Sequence, residues 1–100
     1  MSVQIQENWT DIEGKVLDVR PSPTRNGFVE IEISVEAAKP VPHFVDFLGK
    51  HVGGVLVVSF REDCIEGKRP VKGSRISVRV RRGQRPDQVF AHTRDFSIEP

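Results

Sequence analysis

The chain predicts a small all-β domain: a closed barrel of five strands with one short helix or helical turn near residues 43–51. Three observations carry that prediction. Apolar side chains recur with period two over 28–36 and 74–82, the pattern of strands buried on one face. The segments between apolar runs are short and rich in Gly, Pro and Asn, which suits tight turns and leaves no long crossover. Five strands in an open sheet would also leave two edges to protect, and closure removes them.

The first strand is read over Lys15–Arg20 (KVLDVR), entered through Gly14. PSPTRNG follows, with two prolines and an Asn-Gly pair but no apolar residue, and is a turn or short loop. The second strand, FVEIEISVE over 28–36, is the clearest: Val29, Ile31, Ile33 and Val35 alternate with Glu30, Glu32, Ser34 and Glu36. PHFVDFLGKHV (42–52) places Phe44, Phe47, Leu48 and His51 at helical spacing. It reads as a helix or helical turn plugging a barrel end, with a loop pinned by its phenylalanines as the alternative. Gly49 inside it and prolines at 40 and 42 limit its length.

The third strand, GVLVVSF over 54–60, is apolar on both faces and is expected to be covered on both sides or strongly curved. In the fourth, SRISVRVRR over 74–82, Ile76, Val78 and Val80 point inward and Arg75, Ser77, Arg79 and Arg81 outward. The fifth runs over about 88–98, with Val89 and Ala91 opposed to Phe90, Phe96 and Ile98. Residues 1–13 form an N-terminal extension whose Trp9 is expected to cover an open barrel end. One domain over 1–100, with its core over about 14–98, follows from the length.

The 100 residues hold 15 basic and 14 acidic side chains, a balance that conceals an uneven layout. Lys68, Arg69, Lys72, Arg75, Arg79, Arg81, Arg82 and Arg85 follow one another with no acid between them. Arginine dominates that stretch, and its planar fork suits phosphates, carboxylates and flat rings. A solvated face whose charges pair with acids supplied by the fold is the plainer explanation. No apolar run reaches membrane-spanning length, MSVQIQENWTDIEG lacks a signal-peptide layout, and Cys64 stands alone. A cytoplasmic location is therefore expected.

Val71-Lys72-Gly73-Ser74-Arg75-Ile76-Ser77-Val78-Arg79-Val80 resembles the fourth-strand entry of OB-folds of the bacterial single-stranded-DNA-binding type, including the small primosomal single-strand binders. Gly14-Lys15-Val16 is similar to the first strand of that layout, 54–61 to the third and 91–98 to the last. The resemblance implies a binding surface on strands 2 and 3 with the 1–2 and 4–5 loops. Those loops are basic here: Arg20 and Arg25 at the first, Arg82 and Arg85 at the second. Arg75, Arg79 and Arg81 add a row on a strand whose alternate positions lie about 7 Å apart. Two features depart from the family. The outward side chains of strand 2 are Glu30, Glu32, Ser34 and Glu36, which repel phosphate, and there is no tyrosine. Phe28, Phe60 and Phe90 are potential stacking platforms that are also expected as core.

No catalytic or metal constellation emerges. His43, His51 and His92 lie in separate segments, and Cys64 sits among Glu62, Asp63 and Glu66, which raise a thiol pKa. No phosphate-loop glycine pattern occurs. The expected function is a non-catalytic module without cofactor or metal. It would bind single-stranded DNA or RNA through Arg20, Arg25, Arg75, Arg79, Arg81, Arg82 and Arg85. The alternative is a protein-interaction or self-assembling subunit that uses the barrel surface.

Overall fold

The computed structural model describes residues 7–85 and 87–99. Five strands, β1 (Thr10–Pro21), β2 (Phe28–Pro40), β3 (Val55–Arg61), β4 (Arg75–Arg82) and β5 (Val89–Glu99), close into a barrel in the order β1-β2-β3-β5-β4. All neighbours are antiparallel except β3 and β5, which run parallel and meet at Ser59 opposite Phe90. The all-β closed barrel and its five strands are as the sequence predicts, and the order is consistent with an OB-like fold. No helix among the described residues is long and apolar enough to cross a membrane.

β1 begins five residues before the predicted start. Thr10, Ile12, Gly14 and Val16 alternate inward and are all buried, but only Ile12 and Val16 signal this in the sequence. Thr10–Lys15 pair with β4 on one side while Thr10–Gly14 pair with the far end of β2 on the other. Gly14 stands at this junction, and a Cβ there would run into the Ser34 carbonyl oxygen. Register shifts flank Gly14 and Leu17. The second changes the parity of the strand, so that Val19 packs on the core after Val16.

The core is the set of inward rows: Ile31, Ile33, Val58 and Val80 are fully buried, as are Phe60 and Leu48 to within one per cent. In β3 the inward residues are Leu56, Val58 and Phe60; Val57 and Ser59 are half-buried and Val55 is open to solvent. β3 is thus covered on one side at its start rather than on both. In β5, Ala91 opposes Val80 and Phe96 opposes Val78, so the four residues 92–95 face Arg79 alone. Three extra residues, an odd number, thus reverse the alternation and bring Phe96 and Ile98 to the same side as Val89. Their expected opposition to Val89 is corrected accordingly, while Phe90 does point outward.

The 41–54 connection is a loop with a single 3-10 turn at Gly49–His51, the helical-turn form of the prediction. His43 has φ of 73°, a left-handed residue through which no α-helix passes. Asp46 fastens the loop to the barrel: its Oδ1 accepts bonds from the Thr10 hydroxyl (2.6 Å) and the amides of Gly49 (2.8 Å) and Leu48 (3.2 Å). Burial pushes this carboxyl up, but the three hydrogen bonds outweigh it and hold the pKa below the ordinary carboxylate value.

Candidate functional site

Phe28 and Phe90 stand on the outer surface because each shares parity with polar neighbours, Phe28 with Glu30 and Glu32, and Phe90 with Gln88. Strand pairing then aligns them. Phe28 lies opposite Arg61, Ser59 opposite Phe90, and Phe90 opposite Arg81, so two rings and two guanidinium groups line up across β2, β3, β5 and β4.

Arg25 arrives from the 1–2 loop. The Ser22 hydroxyl accepts the Arg25 amide (3.2 Å), the Ser22 amide donates to the Phe28 carbonyl (3.0 Å), and Gly27 turns with φ of 79°. This tight reversal lays the Arg25 guanidinium 4.9 Å from the centre of the Phe90 ring and 5.8 Å from that of Phe28. Arg81 reaches Phe90 at 5.2 Å. Both are at cation–π distance.

Trp9 forms another wall, not the cap of a barrel end that the sequence suggests. Its ring meets His92 edge-on at 5.1 Å, and its amide donates to the Val45 carbonyl. Asn8, 2% exposed, donates from Nδ2 to the Arg82 carbonyl (3.0 Å) and accepts the Arg82 amide on Oδ1 (2.8 Å). The side chain thereby imitates one rung of a strand pair. The 4–5 loop closes the rim, the Gly83 amide donating to the Gln88 carbonyl (2.8 Å).

Together these elements enclose a groove of about 500 Å³. Among the described residues its lining includes Arg25, Arg61 and Arg81, the rings of Trp9, Phe28, Phe90 and His92, and no carboxylate. A groove of similar volume on the β1–β4–β5 side is lined by Asp11, Glu13 and Asp95 as well as Arg79 and Lys39. Arg79 there is already bonded to Asp11 and Asp95.

The seven arginines singled out from the sequence divide sharply. Arg20 is held by Asp18 (3.0 Å), Glu30 (3.4 Å) and Glu32 (3.8 Å), one cation among three carboxylates. Arg79 forks onto both Asp11 oxygens (2.9 and 3.2 Å) and touches Asp95 (3.1 Å). The Asp11 hydrogen bonds, ahead of the opposing effect of burial, raise its pKa. Arg75 pairs with Glu36 at 2.8 Å. Arg85 sits at a loose 4.0 Å from Asp87, with both side chains largely in solvent. Arg25, Arg81 and Arg82 have no carboxylate partner among the described residues, and Arg82 lies 4.3 Å over the Phe47 ring.

Outside the groove, Cys64 has its pKa raised by burial first and then by Asp63, which keeps the thiol protonated and a poor nucleophile. Phe60, 1% exposed, belongs to the core and is no platform. Trp9, His92 and Arg61 are groove side chains that the sequence does not single out, and Arg61 is paired with Asp63 at 2.9 Å. Trp9 lies in a stretch without periodicity, and His92 reaches the groove through the β5 insertion. Compared with the models of protein families and with curated proteins, the sequence matches none.

Proposed function

We propose that this barrel binds single-stranded nucleic acid in the groove between the 1–2 and 4–5 loops. The observation that carries the reading is Phe90 between Arg25 and Arg81, with Phe28 and Trp9 beside it and no carboxylate in the lining. Flat rings accept unstacked bases of any sequence, and unpaired guanidinium groups take the phosphates. Duplex bases are already stacked and offer the rings nothing. The reading is of a cytoplasmic binder that needs neither cofactor nor metal and performs no chemistry.

The test is equilibrium binding of a fluorescent single-stranded oligonucleotide at low salt, with a duplex of the same length beside it. Binding of the single strand and its loss with added salt support the reading. Absence of single-strand binding at low salt, or tighter binding of the duplex, overturns it.

A second reading, an interaction subunit, is favoured by Val52 and Val55, about half exposed on either side of the Gly53–Gly54 turn. Sedimentation of the purified protein, with Val55→Ser beside it, tests that reading through the oligomeric state.

A further inference from the structure

In the aligned strands, Phe28, Glu30 and Glu32 share the outer face of β2, and Glu30 opposes Ser59, which opposes Phe90. Glu30 is therefore the next outward residue after Phe28, about 7 Å along the strand, and about 10 Å from Phe90 across two strand spacings. It belongs to the cluster in which Asp18, Glu30 and Glu32 converge on Arg20. That cluster carries two more negative charges than positive. It lies about one Debye length, roughly 8 Å, from the rings at physiological salt.

The OB-like face formed by β2 and β3 is thus split. Its Phe28–Arg61 end opens into the groove. Its Glu30–Glu32 end meets a phosphate backbone with net negative charge, and the arginine there is already surrounded. On the other side the continuing strand finds Arg79 occupied by Asp11 and Asp95.

We infer that the groove holds a short single-stranded segment of about three nucleotides, one base for each of Trp9, Phe28 and Phe90, and that the Asp18–Glu30–Glu32 cluster bars the backbone from continuing along β2 and β3. The inference rests on the nucleic-acid reading above and names its ligand class: strand ends, gaps and small loops rather than long tracts. The backbone enters past Arg25 and leaves past Arg81 and the 4–5 loop, crossing the strands rather than following them.

Trp9 is the one tryptophan of the chain and stands in the groove, so its fluorescence reports occupancy. The experiment titrates the wild-type protein with thymidine oligonucleotides of about three and about twelve nucleotides at low salt, correcting the longer for its number of registers. The expected result is that the two affinities agree within about threefold. In the double variant Glu30→Gln, Glu32→Gln, the longer oligonucleotide gains about tenfold while the shorter gains less than about threefold. A wild-type affinity that climbs about tenfold or more with length overturns the inference but leaves the nucleic-acid reading standing. So does an equal gain for both lengths in the double variant. Failure of both lengths to bind at low salt overturns both.

Discussion

Arg25 and Phe90, 65 positions apart in the sequence, meet with the guanidinium 4.9 Å from the ring centre. The contact ties the 1–2 loop to the start of β5 and covers a ring that Arg81 also approaches. It also supplies a stacking surface and a phosphate-binding cation at one point. The predictions that follow ask which of those roles matters and what the surrounding barrel tolerates.

Replacing Phe90 by Ala removes one platform from the surface and leaves the core intact. Oligonucleotide affinity is expected to fall by about 1–3 kcal/mol, or roughly 5- to 150-fold, with the thermal midpoint changed by only a few degrees. Phe60→Ala gives the reverse pattern. Its ring is 1% exposed and packs edge-on against Phe96, so about 3–5 kcal/mol of stability is lost. Binding curves and thermal melts on the two variants check the pair.

The salt dependence distinguishes free from committed arginines. Arg25, Arg81, Arg82 and the loosely paired Arg85 give a slope of log affinity against log salt of about −2 to −3, against about −5 if all seven arginines contacted phosphate. Arg81→Ala reduces the slope by about 0.7, and Arg79→Ala leaves it unchanged. Affinities measured across a series of salt concentrations decide this.

Arg79 instead contributes to the barrel. Its fork on Asp11 joins β4 to β1, but the side chains are 32% and 44% exposed, so solvent screening limits its contribution. Arg79→Ala is expected to destabilise by about 0.5–1 kcal/mol, and Arg79→Lys to recover only part, because an ammonium cannot reproduce the two-pronged contact. Urea unfolding of both variants measures it.

The loop clasp at Asp46 predicts an acid dependence. Its pKa is lower folded than unfolded, so its contribution is complete above the unfolded carboxylate value and disappears as pH falls through the folded one. The stability margin of the wild type over Asp46→Asn should hold at neutral pH and shrink below about pH 4. Melting curves of the two proteins between neutral and acid pH test the sign; a margin that grows on acidification contradicts it.

Gly14→Ala drives a methyl group into the Ser34 carbonyl at a point where two neighbouring strands fix the backbone. A loss of about 3 kcal/mol or more, lowering the thermal midpoint by about 10 °C or more, is expected. Gly67→Ala, with open space around the new Cβ, should be close to neutral. Parallel melts compare the two.

The strands were legible because their inward rows are unbroken: Ile31, Ile33 and Val35, or Ile76, Val78 and Val80, alternate with charge for long enough to fix a period. Thr10–Glu13 is not legible as strand because its inward members are a threonine and a single isoleucine, followed by Gly14, too few apolar residues to fix a period. Phe96 and Ile98 face the core against the sequence expectation because parity counted along β5 ignores an insertion visible only against Arg79. The basic loops were legible as charge, and Arg25 was placed correctly in the 1–2 loop. Which arginines remain unpaired was not legible, since most of the acids that claim them, the neighbouring Asp18 of Arg20 apart, come from other strands: Asp11 for Arg79, Glu36 for Arg75, Glu30 and Glu32 for Arg20. Only pairing brings those charges within reach of one another.

Asn8 has a practical consequence for handling the protein. Its amide is stitched to the backbone of Arg82, and Trp9 follows it directly, so one wall of the groove is carried by residues that precede the first strand. A truncated version trimmed back to Thr10 keeps every strand but gives up both hydrogen bonds between the buried Asn8 side chain and Arg82. It also loses the indole and the anchor that sets the rim. Intact strands are therefore no guide to where the groove can be trimmed.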